Sequence, residues 1–316
     1  MSAMAPERRQ LLGFWLGVLG VLLFAITLPA TRLATGSTDD PQLAPLFVTV
    51  GRAALAGLLS LAYLLATRAP WPERRHWGPL LGAVAGNVIG FPLLLALALR
   101  SVTATHGAVF TALLPLATAV AAALILGQRA RRGFWACAVA GSALVVVFAW
   151  LRAEQAGGFG VARADALLIG AVVAASVGYV YGARVTPALG AERVICWMCV
   201  LVLPFSGPAA LYLWPDTALL PVRASSWAGF VYVGAVSMWA GFFAWFRGLD
   251  WGGALRVSQV QLLQPFLTML FAVPLLGERL DAVSVGFALA VVAAVFFSRR
   301  LSRPAAPHSP QPEPNR

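Results

Sequence analysis

LRVSQVQLLQPFLTMLFAVPLLGE, residues 255–278, is apolar for most of its length, and its one acidic residue, Glu278, comes last. A bilayer core about 30 Å thick is crossed by about 20 helical residues, so the stretch reads as a membrane span. THGAVFTALLPLATAVAAALILGQ, residues 105–128, matches it at an offset of 150. Pro115 falls on Pro265, and Gly127-Gln128-Arg129 falls on Gly277-Glu278-Arg279. At the same offset Trp77-Gly78 meets Trp227-Ala228, while Leu16-Gly17 meets Ile169-Gly170 at a slightly different one. Proline, tryptophan and glycine in one register mark a duplicated unit rather than two hydrophobic runs of similar length.

Outward from this pair, ten apolar runs are visible: 11–34, 44–67, 77–99, 103–126, 133–151, 165–187, 194–214, 226–249, 255–276 and 282–298. Residues 1–10 form a short N-terminus, 11–151 a first five-helix repeat and 165–300 a second, and the Pro-rich polar tail 301–316 is expected to be disordered. Each repeat holds an odd number of spans, so the second enters the membrane from the opposite face. The expected fold is therefore an all-α polytopic membrane protein of ten transmembrane helices arranged as two inverted five-helix repeats.

Composition agrees. Of 316 residues 60% are hydrophobic and 11% charged, against about 45–50% and 25% for soluble domains, which excludes a soluble enzyme or a disordered chain. The net charge of +11 does not signal nucleic acid, because the arginines lie singly or in short clusters between apolar runs. Counted at alternating loops, 16 arginines fall on the face of both termini and 7 on the other, which places the termini in the cytoplasm. Cys137, Cys196 and Cys199 lie inside apolar runs and read as packing residues.

Polar side chains at mid-span need a partner or a water-filled cavity. The ninth run carries Ser258, Gln261, Gln264 and Thr268 at helical spacing, which predicts one polar face. The fourth run repeats this more mildly with Thr111 and Thr118. Thr27, Ser176 and Tyr179 are the polar residues of runs one and six. Asn87 sits in run three among glycines, and Trp239 in run eight is the one tryptophan near a helix centre. The expected substrate-binding set is Thr27, Asn87, Thr111, Tyr179, Trp239, Gln261 and Gln264. For these amides and hydroxyls, bonding between helices is the plainer alternative.

Arg32 and Arg52 are expected to snorkel or to bind backbone carbonyls, and His106, near the end of run four, to be structural or exposed. No acidic residue lies at mid-span, which leaves no intramembrane carboxylate relay. No catalytic set, metal site or cofactor site is expected. The expected partners are a small-molecule substrate and membrane lipids, with no nucleic acid. Small-residue faces suit packing within or between chains, so no oligomeric state is assigned.

The Leu-Leu-Gly-Glu turn at 275–278, its partner Leu-Gly-Gln at 126–128 and Gly51-Arg52-Ala53 resemble the EamA family of the drug/metabolite transporter superfamily over about residues 10–300. Gln128 departs from the family's usual Glu. The resemblance implies a cell inner-membrane carrier with a central cavity between the halves, lined by runs one, three, four, six, eight and nine. The mid-span residues carry no charge, which favours a neutral or zwitterionic metabolite, such as an amino acid, as an exported substrate. A multidrug or aromatic-cation exporter is the alternative within this class, and a non-transporting membrane scaffold the alternative outside it.

Overall fold

A computed structural model describes residues 6–127, 132–155, 162–216, 221–252, 257 and 260–301. Ser258, Gln128 and the tail from 302 lie outside the described residues. The protein is all-helical, with two inverted repeats of five spans. Among the described residues, seven helices are long and apolar enough to cross a membrane, and three shorter apolar helices, at 135–151, 260–276 and 282–297, complete the ten.

Five of the spans are interrupted. Span one is α1 (Pro6–Ala25) followed by α2 (Thr27–Thr35), with the break at Ile26. Span two is α3 (Pro45–Ala66). Span three runs from α4 (Arg74–Ala83) through a π-helical segment, Val84–Gly90, into α5 (Phe91–Ala98). Span four is α6 (Ala104–Thr111) and α7 (Leu114–Ile125), with Pro115 in the first turn of α7. Span five is α8 (Arg132–Gln155). Spans six and seven are α9 (Arg163–Leu189) and α10 (Ala191–Tyr212).

Span eight repeats the design of span three: α11 (Ala224–Val231), a π-helical segment at Tyr232–Ala240, then α12 (Gly241–Gly252). Span nine passes from a 3-10 turn at Val260–Leu263 into α13 (Gln264–Leu276), and span ten is α14 (Ala282–Leu301). Proline explains the breaks in spans four and nine, because it has no N–H to give and its ring crowds the carbonyl one turn back. The π segments occupy matching positions in the two repeats, and such insertions gather at functional sites. After spans four and nine, Gly127 and Gly277 turn the chain with positive φ of 64° and 67°, a conformation that glycine adopts without steric cost.

Packing follows the same pseudo-symmetry. The first span lies along the eighth and the sixth along the third, while the second pairs with the seventh and the fifth with the tenth. Close approach of α1 and α12 depends on glycine. A Cβ on Gly13 would lie 2.1 Å from the Gly252 nitrogen, and one on Gly248 2.6 Å from the Gly17 nitrogen. Small residues let helix backbones meet where lipid offers no hydrophobic drive for association. The largest core cluster gathers Leu28, Leu99, Phe110, Phe148, Leu168 and Met269 from both halves.

Candidate functional site

A cavity of about 1210 Å³ opens at the face that holds α9's end, α10's start and the second half of α12. Arg184, Arg193 and Arg247 mark this as the arginine-rich face. The cavity runs inward to Asn87, Pro115, Thr118, Tyr179 and Gln261. Its walls are aromatic, with Phe24 from α1, Tyr63 from α3, and Phe242, Trp245, Phe246 and Trp251 from α12. Glu192 stands near the mouth, held by Arg247 at 2.6 and 2.9 Å and accepting a hydrogen bond from the Tyr63 hydroxyl at 3.1 Å. Arg247 also lies over the Trp251 ring, 5.5 Å from its centre, a cation–π geometry.

Three of the seven residues singled out in the sequence meet at this cavity: Asn87, Tyr179 and Gln261. With its amide oriented to suit its neighbours, Asn87 donates to the Ala175 carbonyl (3.1 Å) and accepts from the Tyr179 N–H (3.3 Å). Those two groups are the pair that an α-helical turn would join, so Asn87 both lines the cavity and ties the third span to the sixth. Gly178 makes room for it, since a Cβ there would lie 2.7 Å from the Asn87 side chain. Thr118 reaches the Ser176 hydroxyl at 3.5 Å.

The other four lie elsewhere. Thr27 is buried and shares a 2.8 Å hydrogen bond with Ser237 in the π segment of span eight. Thr111 and Gln264 border a much smaller void beside Pro115 and Pro265, which Gln261 also touches. Gln261 and Gln264 thus share the small void, and of the two Gln261 also reaches the main cavity. Thr268 donates to the Ala25 carbonyl (2.9 Å) and Tyr232 to the Leu23 carbonyl (2.9 Å). Both serve backbone groups beside the break at Ile26, where helical partners are lost. Trp239 packs on Phe243, with ring centres 4.8 Å apart, and its buried Nε1 has no hydrogen-bond partner among the described residues.

At the opposite face the two halves are joined by polar links. Arg223 grips Asp40 at 2.6 and 3.1 Å, and Gln42 accepts from the Arg223 backbone and from Ser226. Glu278 accepts from the first two amides of α6, Ala104 at 2.7 Å and Thr105 at 2.9 Å. His106 Nε2 lies 2.6 Å from Asp165, a pair that buries both side chains. Arg32 donates to the Leu99 carbonyl. This fits the expected carbonyl contact, whereas Arg52 is buried and its Nε has no partner among the described residues. Beneath these links lies the Phe110–Phe148–Leu168 cluster. The molecule is thus open at one face and closed at the other.

Sequence reasoning missed the aromatic wall and the Glu192–Arg247 pair. Trp251 sits at a helix end, and a tryptophan there reads equally well as an interfacial anchor. Glu192 and Arg247 stand far apart in the chain, and no local pattern joins them. Asp165 gave only the signal of an acidic residue in the first turn of a helix.

The model of the EamA-like transporter family matches residues 11–151 and again residues 162–300. A Bacillus subtilis (strain 168) protein described as the uncharacterized transporter YdeK is 42% identical over 287 residues, covering 91% of this chain and 96% of that one. A crystal structure with no functional description superposes with a TM-score of 0.59 at 22% identity, covering 94% of this chain and 98% of the other. That likeness speaks to the fold alone.

Proposed function

Because the chain belongs to the EamA-like transporter family, we propose that it is a secondary carrier exporting small neutral or zwitterionic metabolites of the amino-acid kind. Its two halves rock about a site at Asn87, Tyr179 and Gln261. One observation carries the reading: a large cavity reaches Asn87, Tyr179 and Gln261 at mid-span from the arginine-rich face while links between the halves close the other face. Alternating access requires such a state. The positive-inside rule assigns the open face, and with it both termini, to the cytoplasm of an inner membrane.

The cavity supports this substrate class. Amide and hydroxyl groups at its inner end donate to and accept from an uncharged polar group, and the aromatic wall takes an apolar side chain. An aromatic-cation exporter is the second reading, favoured by the same rings. Against it stands Glu192, a carboxylate of the lining that Arg247 already neutralises.

Counterflow in proteoliposomes tests both readings. Vesicles preloaded with unlabelled amino acids accumulate labelled Thr or Phe if the carrier reading holds, and Gln261→Leu abolishes this. Gln264→Leu, away from the main cavity, has the smaller effect. Uptake of a cationic dye alone supports the second reading, and no exchange of any compound by folded protein overturns both.

A further inference from the structure

On the reading that the halves alternate, we propose that His106 and Asp165 form a proton site in the closed face, and that a proton bound there holds this face shut. The pair joins the two repeats, with His106 on α6 of the first and Asp165 on α9 of the second. Both partners are fixed in place. The His106 ring is flanked by Phe110 and Phe148 at 5.3 and 5.0 Å. Asp165 turns its second oxygen to the Ala162 amide at 3.1 Å. Side-chain exposure is 11% for His106 and 2% for Asp165, so little water screens the pair.

Charge balance gives the sign. A protonated imidazole beside the carboxylate leaves the buried pair neutral overall. A neutral imidazole leaves Asp165 as a buried charge without a counter-ion, which is the costly arrangement. Opening that draws α6 away from the start of α9 returns both groups to water, where either protonation state is tolerated. Imidazole is the side chain that ordinarily changes charge between pH 5 and 8. A proton on the pair therefore favours the closed face, and its loss removes that support.

Other charges frame the pair. Among the described residues, the elements packed against α6 bring Arg163 on α9, Arg32 on α2, and Glu278, Arg279 and Asp281 between α13 and α14, while Arg100 lies just before α6. Glu278 sits on the amides of Ala104 and Thr105, which precede His106, and is the competing carboxylate of this face. By the proposed orientation, this site answers to the pH outside the cell.

The test measures this face directly and needs no substrate. Spin labels are placed on the full chain in lipid nanodiscs through Thr38→Cys and Ser225→Cys, two exposed positions on opposite halves beside the Asp40–Arg223 pair. Cys137 is replaced by Ala, and the other two cysteines are buried. Pulsed-EPR distances are recorded from pH 5.5 to 8.5. The expected result is a closed-to-open ratio that falls about tenfold across this range, with His106→Gln and Asp165→Asn both removing the slope. Asp165→Asn keeps an oxygen for Ala162, so it retains the helix cap if the histidine variant fails to fold.

A slope that survives in His106→Gln and vanishes in Glu278→Gln overturns the proposal and assigns the proton to Glu278. A wild-type distance that ignores pH but lengthens in Glu278→Ala overturns the proton site and leaves the carrier reading standing. A single distance at every pH and in every variant overturns alternating access itself.

Discussion

Replacing Glu278 by Ala tests the closed face through its best-defined contact. Thr103 caps α6 by accepting from the His106 amide, Gly107 begins the helical ladder by donating to the Thr103 carbonyl, and the two amides between them belong to Glu278. The three amides of the first turn that lack an intrahelical partner, at 104, 105 and 106, are thereby accounted for. Hydrogen bonds to a charged group contribute about 1.5–3 kcal/mol each, and a carboxylate at a helix N-terminus adds about 0.3–1 kcal/mol. Glu278 is half-exposed, so water recovers part of the loss when the carboxylate is removed. A net cost of roughly 2–3 kcal/mol to the closed face follows, or about a 30- to 150-fold shift of the closed-to-open ratio at 1.4 kcal/mol per tenfold. Glu278→Gln keeps one acceptor oxygen and is expected to cost about half as much. Spin-label distances between positions 38 and 225 read the ratio, with Glu278→Ala lengthening the mean distance and Glu278→Gln falling between. Unchanged distributions in both variants, at unchanged thermal stability, refute the assignment of this contact to the seal.

Other variants probe the frame and the cavity. Gly248→Val drives a side chain into the Gly17 backbone, where a Cβ would already lie 2.6 Å from its nitrogen. It is expected to cost more than the 1–3 kcal/mol typical of an overpacked core, and detergent-solubilised protein should melt far earlier or fail to accumulate. Thr268→Val removes the hydroxyl that serves the Ala25 carbonyl, and a loss of about 1–3 kcal/mol in a denaturation titration is the expected result. Tyr179→Phe deletes a hydroxyl from a cavity residue while leaving its ring, so the half-saturating substrate concentration in counterflow should rise with expression unchanged. Arg223→Gln breaks a bidentate but exposed pair with Asp40, and exposed pairs contribute about 0–1 kcal/mol. Its distance distribution should shift far less than that of Glu278→Ala.

What the sequence made legible was periodic. Span number, repeat and inverted topology follow from apolar runs of membrane length and from Pro115/Pro265 and Gly127/Gly277, whose effects are local to the chain. Gln261 was legible for the same reason, as a polar group at mid-span, and Asn87 and Tyr179 likewise. That Gln261 reaches the large cavity while Gln264 borders only the small void was not, because it depends on which neighbouring spans surround each amide. Nor was the use of Thr27 and Thr268 between helices, which depends on where the break at Ile26 exposes carbonyls and on which span passes beside it.

The least legible part was the closed face, whose links join residues far apart in the chain, such as His106 with Asp165 and Ala104 with Glu278. The repeat nevertheless says something about that face that the contacts alone do not. Inversion carries the Gly277-Glu278 turn onto Gly127-Gln128 at the opposite face. A carboxylate gains more from helix-start amides than a neutral amide does. Two turns alike in sequence but unlike in charge therefore favour closure at the Glu278 face over closure at the Gln128 face, and the structure shows that face shut. Exchanging the two residues, Gln128→Glu together with Glu278→Gln, should move the resting equilibrium toward the other state. An equilibrium unmoved by the exchange would mean that packing of the Phe110–Phe148–Leu168 cluster, rather than charge at the turns, sets the resting state.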